Sequence, residues 1–291
     1  MSGFAPPWDD LREMVRRAVA EDLPAGDPTG ASLAARPAKA FLVAREAGTV
    51  AGLVAAQSVL DEVDRHLGCG EAKARLFVAD GDRVRPGDRL AELDGPARAL
   101  VASERTLLNV VTHLSGIASA TARMVAAVEG TGAVIRDTRK TLPGLRVVEK
   151  YAVRCGGGAN HRMSLSDAVL VKDNHVAAHG GVTAAVNAAR QAIQSHPAPL
   201  GLEVEVDNLE QLDEALAAGV GLVLVDNMSL ESTAEAVRRA HRHGAKVEAS
   251  GGIGLDRVAL VAGCGVDYVA VGALTHSAPA LDMALDWDLD V

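Results

Sequence analysis

The chain has 291 residues, of which 48% are hydrophobic and only 2% aromatic, and its formal net charge is −9. The acidic balance argues against broad electrostatic binding to nucleic acid or to an anionic membrane surface. The three cysteines are widely spaced and form no CxxC pair, which fits a reducing compartment better than a disulfide or zinc framework. A chain of this length can bury a substantial core, as one large domain or as two smaller ones.

The first ten residues, MSGFAPPWDD, lack the basic and then apolar pattern of a secretory signal. No apolar run reaches the ~18 residues that indicate a membrane span. We therefore expect a soluble, cytoplasmic protein whose partners include neither a membrane nor a nucleic acid.

The first third of the chain mixes helix and strand patterns. Helical patterns near residues 11–20 and 54–66 enclose an extended segment around residues 40–50. A hairpin-like run, KARLFVADGDRVRPGDRLAELDG, follows, with turn dipeptides between alternating apolar residues. This order predicts a small N-terminal domain of helices and antiparallel strands. A long helix follows over residues 103–128, where apolar residues recur at three- and four-residue steps.

From residue 133 onward, short apolar runs alternate with amphipathic helical segments. The runs AVIR, AVLVK, LEVEV, LVLVD, KVEAS and YVAVG begin at residues 133, 168, 202, 222, 246 and 268. Repeated β-α units of this length predict a parallel sheet with right-handed crossovers. Six strands are too few for a complete eight-stranded barrel. An open, incomplete β/α barrel is therefore our first expectation, and a doubly wound sheet is the alternative.

Polar residues or glycines end each of these runs. In parallel β/α architectures the carboxyl ends of the strands meet at one rim, where function gathers. The endings are Arg136 to Lys140, Lys172 to His175, Glu205 to Asp207, Asp226-Asn227, Ser250 to Gly252 and Gly272-Ala273. We interpret this rim as a candidate site.

The LEVEV strand places two carboxylates on one face. Side chains alternate along a strand, so Glu203 and Glu205 point together into the barrel if the apolar face packs on helices. Buried carboxylates need a nearby cation or metal. A structural ion pair with a neighbouring strand remains the alternative for both, with Lys172 as the main candidate partner of Glu205. Asp226 could instead cap the following helix, as could Asn227 or Ser229.

The segment from Arg136 to His175 is strongly basic within an acidic chain and contains a glycine triplet. Cations beside a flexible glycine run suit a small, heavily anionic ligand. For adjacent basic residues a solvated loop is the alternative, and a lone histidine is usually structural. On position we assign five of these residues to the pocket: Arg139, Lys140, His161, Arg162 and Lys172. Three others have four-residue spacing on a predicted helix and are assigned to a solvated face: Arg146, Lys150 and Arg154.

Two glycine-containing segments, Ser250 to Gly252 and Val271 to Ala273, follow the last two strands. In β/α barrels this is a common phosphate position, because glycines let backbone N–H groups approach the oxyanion. Together with the basic rim they predict a monophosphate at one end of the pocket and more anionic charge at the other.

Seven strings in this region carry a family resemblance: TRKTLPGLR, RCGGGANHR, LVKDNH, EVEVDN, VDNM, EASGGI and VGALTHS. With EDLPAGDPT from Glu21 and SERTLLN from Ser103, they resemble the nicotinate-nucleotide pyrophosphorylase family, the decarboxylating quinolinate phosphoribosyltransferases, over nearly the whole chain. Leu142 departs from the small polar residue expected at its position.

The resemblance implies an α/β fold with an N-terminal α/β sandwich domain and an open, incomplete (β/α) barrel. It implies domain bounds of 1–115 and 116–276, with the tail 277–291 packing on the first domain. It also implies a homodimer with shared active sites, in which the N-terminal domain of one subunit covers the other subunit's barrel mouth. Arg105 would reach the dicarboxylate in the partner's site.

The reaction implied is phosphoribosyl transfer from phosphoribosyl pyrophosphate to quinolinate with loss of CO₂, in NAD biosynthesis. Lys140, Lys172, Glu205 and Asp226 would be catalytic, and Mg²⁺ would be held by Glu205 and Asp226, directly or through water. The substrate-binding set would be Arg105, Thr138, Arg139, Lys140, His161, Arg162, Lys172, Glu205, Asp226, Ser250, Gly251, Gly252, Val271, Gly272, Ala273 and His276.

Two rival hypotheses remain open at this stage. A paralogue with the same fold could act on another acceptor, such as nicotinate or a substrate linked to molybdate transport; several cations favour a dicarboxylate over a monocarboxylate. A catalytically silent phosphosugar-binding protein is the second rival. Glu205, Asp226 and Lys172 argue against it, because binding alone does not require carboxylates beside a polyanion.

Overall fold

The structure, a computed structural model, describes residues 5–33 and 36–288. The α-helices of these residues, α1 to α10 in chain order, are Trp8–Asp22, Ala56–Leu67, Ala97–Ala127, Arg146–Cys155, Asp173–His179, Val182–Gln194, Leu209–Ala217, Leu230–Arg242, Leu255–Gly263 and Ala273–His276. The strands, β1 to β12, are Pro37–Ala44, Gly48–Thr49, Lys73–Leu76, Arg83–Val84, Arg89–Pro96, Val134–Arg136, Ala168–Val171, Gly201–Val206, Leu222–Asp226, Lys246–Ser250, Tyr268–Ala270 and Met283–Asp288. None of the helices described is both long enough and apolar enough to cross a bilayer.

The chain forms two compact units. The first contains the described residues within 1–122, 142–157 and 277–291, and the second contains residues 123–141 and 158–276. This division differs from the sequence-based bounds of 1–115 and 116–276, because α4 groups with the first unit. Residues 1–4 and 289–291, at the ends of the predicted first domain and tail, lie outside the described residues.

The first unit is built on an antiparallel sheet of order β12-β1-β5-β3. Strand β1 has an almost completely buried pattern, and β12, from the C-terminal tail, pairs with it from Lys39↔Asp288 to Ala44↔Met283. The predicted hairpin is wrong in its pairing. Strand β3 pairs with β5, whereas β4 pairs with β2 in a separate two-stranded sheet.

Helix α3 has 31 residues and starts at Ala97, six residues before the predicted start. Its apolar stripe is buried over the first turns, with Leu107, Val111 and Leu114 inaccessible to solvent, and half-buried toward the end at Ala122 and Val125. Arg105 is exposed and lies about two turns into the helix, not in its first turn.

The prediction that the basic residues of helix α4 lie on a solvated face is wrong for two of the three. Arg154 is exposed, but Arg146 is half-buried and Lys150 is completely buried. Four-residue spacing describes one side of a helix, and packing within the first unit covers that side at Lys150.

The second unit confirms the open, incomplete barrel. All six strands that the apolar runs predicted are present in one parallel sheet of order β6-β11-β10-β9-β8-β7. Strands β6 and β7 are the two edges and do not pair with each other in the described residues, so the barrel does not close. Helices α7 and α8 are preceded by the N-cap residues Asn208 and Ser229, whose side chains accept hydrogen bonds from the backbone N–H groups of Gln211 and Ser232.

Candidate active site

A cavity of about 390 Å³ lies at the carboxyl ends of the parallel strands in the second unit, a volume typical of small-ligand sites. Each strand contributes to its wall through its last residues or the loop that follows. The lining residues are Thr138, Arg139, Lys140, His161, Arg162, Leu170, Lys172, Glu205, Leu224, Asp226, Glu248, Ser250 and Ala270. Nine residues that the sequence predicted as a site therefore lie together here.

The remaining predicted residues lie beside this cavity or elsewhere. A side chain at Gly272 would come within 3.2 Å of both Lys140 Cδ and His276 Nε2, so Gly272 and His276 adjoin the wall. Gly251 packs against Asn227, and a side chain there would overlap Asn227 Oδ1. Gly252, Val271 and Ala273 flank these positions in the chain but are not among the described lining residues. Arg105 belongs to the first unit.

Lys172 and Glu205 form an ion pair across the ends of β7 and β8, with Nζ 2.7 Å from Oε2. This is the pairing considered from the sequence. Both side chains also line the cavity, and the lysine side chain remains 46% exposed. The pair therefore presents a cation and a carboxylate to the same ligand volume instead of being sealed in the core.

Asp226 is the last residue of β9 and does not cap the following helix, because Ser229 does. The side chain of Asn227 donates from Nδ2 to Asp226 Oδ2 at 2.7 Å. Asn227 itself has φ 53°, and it is the one residue other than glycine with positive φ in the described chain. Its backbone N–H donates to the Ser250 carbonyl at 3.0 Å. The strained residue thus fixes the Asp226 carboxylate at the cavity wall.

Arg139 and Arg162 add two guanidinium groups to the lining of the cavity. Nε of Arg139 is buried and has no hydrogen-bond partner among the described residues, which indicates an anionic ligand at this point. Burial, followed by repulsion from Arg139, lowers the pKa of Arg162. Two guanidinium groups near each other provide the fork geometry that binds carboxylates in pairs of hydrogen bonds.

His161 is held from both sides of its ring. Nε2 lies 2.8 Å from Glu203 Oε2 and 3.4 Å from Glu248 Oε1, and Nδ1 accepts the backbone N–H of Arg162 at 2.8 Å. Glu203 is therefore partnered by a histidine from a loop and not, as considered from the sequence, by a basic residue of a neighbouring strand.

Glu248 and Asp137 are parts of this arrangement that the sequence reasoning missed. Glu248 is completely buried, lines the cavity, and accepts from Arg136 Nη1 at 2.7 Å. Asp137, also completely buried, accepts from the backbone N–H of His161 at 2.9 Å and from Asn160 Nδ2 at 2.5 Å. Alternation along KVEAS, as along LEVEV, could have identified Glu248, because it is the one charged residue between Val247 and Ala249 in the middle of the strand.

The donor set at Glu205 and Asp226 suits a hard cation such as Mg²⁺, which prefers carboxylate oxygens and phosphate oxygens. In the described residues, three or more potential ligand side chains converge within 4.8 Å only at His161, Glu203 and Glu248. Two carboxylates alone leave most positions of a magnesium ion unfilled, so Glu205 and Asp226 fit an ion that takes much of its coordination from a phosphorylated ligand and water.

Two family models match the chain. The model described as "Quinolinate phosphoribosyl transferase, N-terminal domain" matches residues 27–115, and "Quinolinate phosphoribosyl transferase, C-terminal domain" matches residues 117–286. The chain belongs to the quinolinate phosphoribosyl transferase family. The family's C-terminal domain contains every residue that lines the cavity.

Relatives of this quinolinate phosphoribosyl transferase family member match it over nearly its full length. Nicotinate-nucleotide pyrophosphorylase (carboxylating) of Mycobacterium leprae is 48% identical over 284 residues, covering 96% of this chain and 98% of that protein. The human protein of the same name is 40% identical over 279 residues, covering 94% and 91%. The solved structure of the nicotinate-nucleotide pyrophosphorylase from Francisella tularensis is 36% identical, with a TM-score of 0.88 over 98% of each chain.

Proposed function

We propose that this protein transfers the phosphoribosyl group of phosphoribosyl pyrophosphate to quinolinate, with release of pyrophosphate and CO₂ to give nicotinate mononucleotide. This is the step that its family performs in the de novo synthesis of NAD. We place the enzyme in the cytoplasm. The observation that carries the proposal is the composition of one cavity. Its guanidinium and ammonium groups suit two polyanionic substrates, and its carboxylates Glu205 and Asp226 suit a cation that develops during the reaction.

Arg139 and Arg162 would bind the two carboxylates of quinolinate. Lys140 and Lys172 would neutralise the phosphate charge and act in catalysis beside Glu205 and Asp226. Thr138, Ser250 and the glycine-containing segments, with His276, would hold the 5′-phosphate. The closeness of Gly272 to Lys140 and His276 supports this, because a phosphate can approach a backbone that carries no side chain.

In the transfer step, the pyridine nitrogen forms a bond to the anomeric carbon as that carbon's bond to the pyrophosphate oxygen breaks. Positive charge then develops on the ribose ring, as in other glycosyl transfers. The carboxylates of Glu205 and Asp226 lie where they could stabilise that charge and bind the ribose hydroxyls. Mg²⁺ held by Glu205 and Asp226, directly or through water, would neutralise the departing pyrophosphate.

In the second step, the bond between the ring and its 2-carboxylate breaks, CO₂ leaves, and the electron pair is stabilised by the pyridinium. The ring carbon then takes up a proton. The protein has to hold the carboxylate out of bulk water and orient it, which the cation-lined cavity is suited to do.

We also propose that the enzyme is a homodimer whose sites are shared, with Arg105 of the partner subunit binding quinolinate. The exposed position of Arg105 on α3 leaves its guanidinium accessible to a second chain.

The test is to measure CO₂ release from carboxyl-labelled quinolinate by the purified protein with phosphoribosyl pyrophosphate and Mg²⁺. We expect release only in the complete mixture, together with stoichiometric nicotinate mononucleotide. Parallel reactions with nicotinate as acceptor test the rival hypothesis that nicotinate is the substrate. Absence of CO₂ release, or faster conversion of nicotinate than of quinolinate, would refute the proposed activity.

A further inference from the structure

Three titratable side chains converge at the wall of the cavity, and two of them, His161 and Glu248, line it. Ligand atoms of His161, Glu203 and Glu248 all lie within 4.8 Å of one another. Glu203 and Glu248 are 5% and 0% exposed. The carboxylates lie on β8 and β10, and the histidine reaches them from the loop that precedes β7. We call these three residues the buried cluster.

The hydrogen bonds of the buried cluster define where its protons lie. Nδ1 of His161 accepts the backbone N–H of Arg162, so the ring proton is on Nε2, which faces both carboxylates. One neutral histidine, two carboxylates and the guanidinium of Arg136 on Glu248 sum to one negative charge. One additional proton would make this group of four side chains neutral.

The hydrogen bonding of the two carboxylates shows that Glu248 has an oxygen able to take up this proton. Oε1 of Glu203 and Oε1 of Glu248 are buried and have no hydrogen-bond partner among the described residues. Buried carboxylate oxygens without a donor are costly, and a protonated carboxyl group supplies one.

We propose that Glu248 is a positioning residue for the reaction: with Glu203 it fixes the Nε2 side of His161, and one exchangeable proton on the Glu248 carboxyl group makes dicarboxylate binding proton-linked. This rests on the proposed function for the identity of the ligand. Burial, followed by repulsion from Glu203, raises the pKa of Glu248 to about 7, although the hydrogen bond and positive charge of Arg136 oppose the shift. The proton is therefore exchanged near neutral pH.

The charges around Glu248 come from several elements. Arg136 on β6 contacts it directly, and Tyr268 on β11 stacks on Arg136, with the guanidinium carbon 3.6 Å from the ring centre. Other charged groups are in the cavity wall or next to His161: Asp137, Arg139, Lys140, Arg162, Lys172, Glu205 and Asp226. The arginines and lysines favour the ionised form of Glu248, and the carboxylates favour the protonated form.

The direction of the linkage follows from the sign of the charge. Below the pKa of Glu248 the carboxyl group is neutral, and above it a buried negative charge adjoins the anion site. A dicarboxylate therefore binds more weakly as the pH rises through about 7, and its binding above that pH draws a proton into the protein.

The experiment measures dissociation constants for quinolinate, and for phthalate as a dicarboxylate without a ring nitrogen, by calorimetry in chelator-treated buffer. Measurements from about pH 6.5 to about pH 8.5, in buffers of different ionisation enthalpy, give both affinity and proton uptake. For the wild type we expect affinity to fall toward the limit of about tenfold per pH unit for one linked proton. Glu248→Gln should reduce this slope to less than about twofold and abolish proton uptake.

Glu149→Gln is the matched control. Glu149 is also completely buried and accepts from a histidine, with Oε1 3.0 Å from His113 Nε2, but it lies in the first unit. This variant should keep the wild-type slope and uptake. If Glu248→Gln does not fold, the inference is tested by the wild type alone, which should take up a proton when either ligand binds.

Several results would overturn the inference: no proton uptake by the wild type, equal slopes in the wild type and Glu248→Gln, or a divalent metal held by the cluster after chelator treatment. Proton-linked binding of both ligands without CO₂ release would leave the inference standing and refute the proposed activity. CO₂ release with pH-independent binding would support the proposed activity and refute the inference. If the wild type bound neither ligand, both proposals would fail.

Discussion

Lys172 Nζ and Glu205 Oε2 are 2.7 Å apart at the ends of two adjacent parallel strands, and both side chains face the ligand cavity. In the proposed reaction this ion pair would serve both substrates, because the lysine could turn to a phosphate while the carboxylate remained near the ribose. The pair is also partly exposed, so its contribution to stability is small. Its value lies in placing opposite charges where the reaction separates charge.

Glu205→Gln should therefore reduce turnover more than affinity. The amide retains the size of the side chain but cannot stabilise positive charge on the ribose. We expect kcat to fall by roughly 100-fold or more, as for loss of one preorganised electrostatic contact, with a smaller change in KM. Steady-state kinetics with both substrates measure this, and Glu210→Gln on the exposed surface of α7 is the control. An unchanged kcat would contradict the role given to Glu205.

Arg139→Ala should weaken quinolinate binding while the protein stays folded. The buried Nε of Arg139 has no hydrogen-bond partner in the described part of the chain, so its removal breaks no hydrogen bond of the fold at that atom. Loss of a charge-assisted contact is worth about 1.5–3 kcal/mol, or roughly 10- to 100-fold in affinity. Calorimetric binding and thermal unfolding are measured together. Arg238→Ala, an exposed residue paired with Glu235, should alter neither strongly. Normal affinity in Arg139→Ala would refute the dicarboxylate assignment.

The carboxyl-end rim could be predicted from the sequence because each strand is a short apolar run with a polar ending. Alternation in LEVEV predicts Glu203 and Glu205 on one face, and the structure has Glu205 in the cavity wall and Glu203 in contact with His161, another wall residue. The same alternation in KVEAS places Glu248 in the middle of a strand, a signal that the sequence-based prediction did not include. The hydrogen bonds around His161 could not be predicted, because they depend on loop geometry that alternation does not describe.

The fold was less predictable where distant segments meet. Residues 142–157 follow the first barrel strand in sequence but pack in the other unit, and no local pattern signals that return. Strand β12 likewise reaches β1 across about the whole chain, and β4 pairs with β2 instead of its neighbours. Such pairings depend on long-range packing, which periodicity does not encode.

Asn227→Gly should lower turnover without destabilising the protein. Glycine adopts the positive φ of this position readily, so the substitution removes the bond from Nδ2 to Asp226 but keeps the backbone. We expect kcat to fall by roughly tenfold or more, as for other groups that orient an active-site ligand. Asn227→Ala serves as comparison, because it adds backbone strain of about 1 kcal/mol. If the glycine variant had wild-type kcat, the orienting role would be excluded.

Ser229→Ala should destabilise the protein by about 1 kcal/mol, because the helix α8 would lose the side-chain cap on the backbone N–H of Ser232. Asn208→Ala, at the equivalent position of α7, should have a similar effect. Urea denaturation measures both. Since the structure assigns the cap to Ser229 and not to Asp226, Asp226→Asn should leave the free energy of unfolding nearly unchanged while reducing turnover. A loss of stability in Asp226→Asn equal to that of Ser229→Ala would contradict the assignment.

Shared active sites predict complementation between two inactive variants. Arg105→Ala lacks the residue that we propose one subunit contributes, and Glu205→Gln lacks one that belongs to the other subunit's barrel. After the two variants are mixed, unfolded and refolded together, half of the dimers are mixed, and one of the two sites in each mixed dimer has both native residues. Activity should therefore recover to about a quarter of the wild-type value. Mixtures of each variant with itself, refolded in the same way, are the controls. If the mixed preparation contains dimers but stays as inactive as its components, Arg105 acts within its own chain or not at all, because random pairing alone guarantees intact sites in a shared arrangement.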